Sequence, residues 1–114
     1  RLMDGSSNPY LLQAGIIAAG LHGLNNKINP GEALTCNMYT DYKNYPNLKK
    51  LPNEIEDALN FLQNSKELKE AFGDDVITSY IKLKNMEIKD FNKEEKFDKK
   101  SSVTHWEKNS TLDC

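Results

Sequence analysis

The sequence is poor in arginine and has almost no excess of charge of either sign. Of its 114 residues, 15 are lysine or arginine and 17 are aspartate or glutamate, so the formal net charge is -2 at pH 7. Arg1 is the only arginine. A strongly basic surface is the electrostatic signature of nucleic-acid binding. We therefore expect no nucleic-acid partner.

Cysteine and long apolar runs are also scarce. Cys36 and Cys114 are too few for a disulfide framework and lack the paired spacing of a zinc site. We expect two reduced thiols, no metal site within this chain and a cytoplasmic protein. The most apolar stretch, 11–24, contains Gln13 and His22 and is too short to span a bilayer, so we expect no membrane partner.

An unusually apolar helix is the first predicted element. Asn8 is a good N-cap residue and Pro9 suits the first helical position, which predicts a helix from Pro9 to about Asn25. Its apolar side chains lie on nearly all sides, and its three glycines weaken it unless another backbone approaches closely. No strand precedes these glycines and no Gly-Lys-Ser/Thr follows, which disfavours phosphate binding. We therefore expect the helix to be buried in a larger body.

The rest of the chain predicts one long loop, more helices and a polar tail. The loop covers 31–53, and its tyrosines at 39, 42 and 45 fit packing or interface contacts better than base stacking. Trp106 stands in the tail, which suggests that 101–114 docks on another surface. The fold class is mainly α. The further predicted helices are 54–64, capped by Asn53, then 66–72, capped by Ser65 and ended by Gly73, and a long one from Asp74.

No catalytic constellation can be assembled from these residue types and spacings. His22 and His105 are far apart in sequence, and neither belongs to a metal-ligand pattern. The chain begins with Arg1 rather than methionine, so we expect a piece of a longer protein. One interpretation is a free-standing helical interaction module that docks through the helix 9–25 and the tail 101–114. That interpretation predicts cooperative folding of the isolated chain.

Residues 1–31 resemble a stretch of the glutamine synthetase family that reads R-x-P-D-x-x-x-NPYL and then A-x-x-x-AGLDGI-x-NKI-x-PG. Looser similarity continues through Leu51-Pro52 and 72–84. The ending 106–113 is similar to a branch that includes gamma-glutamylmethylamide synthetases. The resemblance implies that 1–114 is the C-terminal helical part of an α+β catalytic domain, with 101–114 as a docking tail. The matching positions are Asp4, Asn8-Pro9-Tyr10-Leu11, Ala19-Gly20-Leu21, Gly23, Asn26-Lys27-Ile28 and Pro30-Gly31.

The resemblance implies part of an ATP-dependent ligase that joins glutamate to ammonia through gamma-glutamyl phosphate. The whole enzyme would use ATP and Mg²⁺ or Mn²⁺, with the metal ligands upstream of this fragment, and would form a ring homo-oligomer. Arg1 occupies the position of the family's arginine that contacts glutamate and the transferred phosphoryl group. Arg1 is thus the predicted catalytic and substrate-binding residue, and a planar guanidinium suits both groups. The fragment alone is expected to be inactive.

Departures from the family pattern leave alternatives open. Met3 replaces a proline and His22 replaces an aspartate. The nucleophile is ammonia or a small amine, as in the gamma-glutamylmethylamide synthetases. Tyr39 falls at a position that is adenylylated in some bacterial enzymes, although the following Thr40-Asp41-Tyr42 differs from the usual Asp-Leu-Pro. The non-catalytic interaction module is the alternative of a different class.

Overall fold

The computed structural model describes residues 7–94 and 103–110. Over these two ranges the chain is helical and contains no strand, which confirms the mainly α fold class. None of the helices in the two ranges is long and apolar enough to cross a membrane. The elements are α1 (Pro9–Asn25), α2 (Met38–Asp41), a 3-10 turn (Tyr42–Asn44), α3 (Ile55–Asn64), α4 (Lys66–Phe72), α5 (Asp74–Glu94) and α6 (His105–Ser110).

The start of α1 is as predicted. Asn8 has an extended backbone, and its side-chain Oδ1 accepts hydrogen bonds from the N–H groups of Tyr10 and Leu11, each at 3.0 Å. Pro9 occupies the first turn, where its missing N–H has no intrahelical partner to lose. The cap satisfies two of the donors that every helix leaves unpaired at its N-terminus.

The turn between α4 and α5 also follows the prediction. Ser65 Oγ accepts the N–H of Leu68 at 3.3 Å and so caps α4. Gly73 ends α4 with a φ of +87°, which a residue with a Cβ rarely adopts. A Lys69–Asp74 ion pair of 2.8 Å spans the same turn.

Two boundaries differ from the prediction. Asn53 does not cap α3, because the helix starts at Ile55 and its N-cap is Glu54, without a side-chain bond. A capping side chain bonds to an amide two or three residues further on, so Asn53 lies one residue too early. The predicted loop 31–53 contains α2 and the 3-10 turn, and the side chain of Asn37 caps α2 by accepting the Tyr39 N–H at 3.0 Å.

The packing is thin. α1 packs on α4, and both α3 and α4 pack on α5. Among the described hydrophobic residues, Leu59 of α3 and Ile77 of α5 are buried, with 7% and 5% of their surface exposed. No residue of α1 is buried, and Tyr10 is 82% exposed. The described residues therefore do not bury α1, although its apolar composition predicts a buried helix.

The described part of the tail packs on its own chain. Trp106 of α6 meets Phe91 of α5 edge to face, with ring centroids 5.4 Å apart and an interplanar angle of 78°. Thr104 and Glu107 form a capping box at the start of α6. The N–H and hydroxyl of Thr104 donate to Glu107 Oε2 at 2.7 and 2.8 Å, and the Glu107 N–H donates to Thr104 Oγ1 at 3.2 Å. Docking of 101–114 on another surface stays a prediction.

The capping box makes the α6 contact sensitive to acid. The two hydrogen bonds from Thr104 hold the pKa of Glu107 below its ordinary value of 4.5. A depressed pKa contributes stability above the ordinary value, which is lost as the pH falls through the lowered pKa. We expect the fluorescence of Trp106, the one tryptophan, to be constant from pH 7 to about 5 and to change below that range.

The matched variant is Glu107→Gln, which keeps the shape of the side chain and cannot ionise. Its Trp106 emission should lack the acid transition that the parent shows. An identical transition in both proteins would assign the change to other carboxylates and contradict the role of Glu107.

Candidate functional site

The predicted site residue, Arg1, lies outside the described residues, as does Asp4. The nearest described residues are Ser7 and Asn8, at the N-terminal end of α1. Arg1 lies seven positions before Asn8, and a chain of that length reaches at most about 25 Å. The N-terminal end of α1 is therefore the described region closest to Arg1 along the sequence.

A cleft of about 690 Å³ lies beside the N-terminal end of α1. Side chains of α3, α4 and α5 form the rest of its wall, and most of them are apolar. Such a lining suits apolar groups and offers no carboxylate or histidine for acid–base chemistry. The apolar lining includes Leu11, Leu12, Leu62, Leu68, Phe72 and Ile77.

Two polar regions border the cleft. Ser7 and Asn8 stand at the end nearest Arg1 in sequence, and Tyr80 and Lys84 of α5 also line it. Lys84 Nζ is 2.7 Å from a carboxylate oxygen of Glu87 and 5.7 Å from the centre of the Tyr80 ring. Because the ammonium already has these neighbours, Lys84 extends the polar edge without adding a free charge.

The family-like residues 26–28 close α1 at its C-terminal end. Ile28 N–H donates to Gly23 O at 2.9 Å and Lys27 N–H donates to Leu24 O at 3.1 Å, the paired bonds of a Schellman motif. Lys27 takes the left-handed position of that motif, with a φ of +50°. This stretch of the resemblance therefore serves to end the helix.

The matching Pro30-Gly31 step turns the chain away from α1. Gly31 N–H donates to Asn29 Oδ1 at 2.9 Å, and Gly31 has a φ of +84°. An Asx-type turn followed by a left-handed residue reverses the chain compactly. The described matches on either side of α1 thus fix its ends, and the chemistry that the resemblance implies is left to Arg1.

His22, which replaces the family's aspartate, is a half-buried residue in the last turns of α1. Asn26 Nδ2 donates to His22 O at 2.9 Å and lies 3.3 Å from His22 Nδ1. The nearby Glu67 of α4 has a lowered pKa because its own backbone N–H and the Ser65 hydroxyl donate to it, with a smaller effect of His22. His22 therefore contributes to packing between α1 and α4.

The tyrosines of the loop lie at the surface. Tyr39 is 88% exposed, which leaves its hydroxyl open to solvent. Hydrogen bonding to Cys36 raises the pKa of Tyr45, and Cys36 Sγ lies 3.6 Å from Met38 Sδ. The loop is thus organised around Cys36, and the predicted modification of Tyr39 stays open.

The described residues do not form a metal cage. Across 7–94 and 103–110, no group of three or more histidine, cysteine, aspartate or glutamate side chains is placed to hold an ion. Mg²⁺ takes near-octahedral oxygen ligands. This part of the chain therefore does not fit a resident divalent metal.

One feature was missed from the sequence although a signal was present. Thr104-x-x-Glu107 is the sequence signature of a capping box, and it predicts the start of α6. The feature is structural, so it does not change the predicted site residue.

Comparison with known proteins gives a clear match. The family model described as glutamine synthetase, catalytic domain, matches residues 1–107. A glutamine synthetase of Rhizobium meliloti (strain 1021) is 42% identical over 99% of this chain and 24% of its own length. A gamma-glutamylethanolamide synthetase of Streptomyces coelicolor is 34% identical over 94% of the chain and 20% of its own length. A glutamine synthetase of Vibrio cholerae is 36% identical over 81% of the chain and 20% of its own length.

The helical fold and these matches define part of a catalytic domain. The chain belongs to the glutamine synthetase family. It spans between a fifth and a quarter of the length of the relatives that it matches. A comparison with solved structures gives no significant match.

The N-cap of α1 gives a stability prediction. Asn8→Ala removes the acceptor for two backbone N–H groups, and should lower the free energy of unfolding by about 1 kcal/mol. Asn8→Ser keeps a capping oxygen and should lose only a small part of that. Urea unfolding followed by far-ultraviolet circular dichroism measures both variants. Equal stability of Asn8→Ala and the parent would show that the cap does not hold α1 in place.

Proposed function

We propose that the longer protein containing this chain is an ATP-dependent glutamate–ammonia ligase. The observation that carries the proposal is the match of residues 1–107 to the catalytic domain of the family. The 42% identity to the Rhizobium meliloti glutamine synthetase extends over almost the whole chain and supports it further. The chain supplies the helical part of the domain, and the rest of the enzyme supplies most of the site.

The proposed reaction has two steps. The side-chain carboxylate of glutamate attacks the terminal phosphorus of ATP, which forms gamma-glutamyl phosphate and releases ADP. Ammonia then attacks the acyl carbon, phosphate leaves, and the nitrogen loses a proton to give glutamine. ATP is consumed as a substrate, and the divalent metal of the proposal, Mg²⁺ or Mn²⁺, would be held by residues outside this chain.

Arg1 has the proposed role of binding glutamate and the transferred phosphoryl group. A guanidinium presents a rigid fork of N–H donors that matches two oxygens of a carboxylate or phosphate. Its charge persists at every physiological pH, so it offsets negative charge that develops during transfer. The one arginine among 15 basic residues is the residue whose geometry lysine does not reproduce.

The nucleophile separates the proposal from its nearest alternative. The similarity to the Streptomyces coelicolor gamma-glutamylethanolamide synthetase supports a gamma-glutamyl-amine synthetase as the second candidate. Both candidates share the first step and differ in the amine.

We also propose self-association into a ring homo-oligomer, as the family resemblance implies. The exposed surface of α1 and the tail are the regions proposed to contact neighbouring subunits.

An assay of the purified full-length protein tests the reaction and identifies the amine. With glutamate and ATP, we expect ADP release to rise on addition of ammonia. A larger rise with methylamine or ethanolamine would select the gamma-glutamyl-amine candidate. If no amine stimulated ADP release, the ligase proposal would be overturned.

Substitution of Arg1 in the full-length protein tests its role. Arg1→Ala should lower kcat/KM for glutamate by about 10²-fold, as expected when one donor to a developing negative charge is removed. Arg1→Lys keeps the charge but not the fork, and should recover only part of that loss.

The matched control is Lys82→Ala, which removes a positive charge from an exposed position on α5. It should leave kcat/KM for glutamate unchanged. Full activity of Arg1→Ala would assign substrate binding to another residue.

A further inference from the structure

We draw no further inference here: the strongest candidate, the side-chain cluster of Cys36, Met38 and Tyr45 in the loop between α1 and α3, carries nothing because it rests on a lone cysteine of the described chain, with no second observation that points to a ligand.

Discussion

The absence of charge from α1 constrains how the described helices pack. Seventeen consecutive residues without a lysine, arginine or acidic side chain leave the helix without a charged face. One side is satisfied by α4, which the turn at Gly73 joins directly to α5. α3 completes the group by packing on α5, and each of these two helices contributes one buried residue, Leu59 and Ile77. The group of α3, α4 and α5 is therefore joined to α1 on one side, through α4.

The exposure of one side of α1 bears on the choice between a longer protein and a free-standing module. A free-standing module of this size has to bury enough apolar surface to offset the loss of conformational entropy on folding. Among the described hydrophobic residues, two are buried, while α1 has four apolar side chains at heptad-like spacing that are each more than half exposed, namely Tyr10, Ile17, Leu21 and Leu24. Membership of a family whose members are several times longer explains the same exposure without a separate partner. The packing thus favours part of a longer chain over an independent module.

Local signals in the sequence predicted most of the helices and their caps, because a cap depends on residues a few positions apart. Asn8, Ser65 and Gly73 have the predicted roles, and Asn53 fails by one residue. The contact of Phe91 with Trp106 was not predicted, since it joins residues 15 positions apart across a stretch with no apolar periodicity. The exposure of α1 follows from composition, whereas the site residue Arg1 rests on the resemblance.

Residues 1–31 contain two kinds of matched position. Most of them shape α1, and one, Arg1, is proposed to bind substrate, so few chemically active side chains lie among the described residues. The matches from Asn8 to Gly31 set where α1 starts, how it ends and where the chain goes next. Arg1 lies outside the described residues, seven positions before Asn8 in the sequence. The described matches therefore account for the structure of α1 and its ends, whereas the proposed chemistry rests on the resemblance at Arg1.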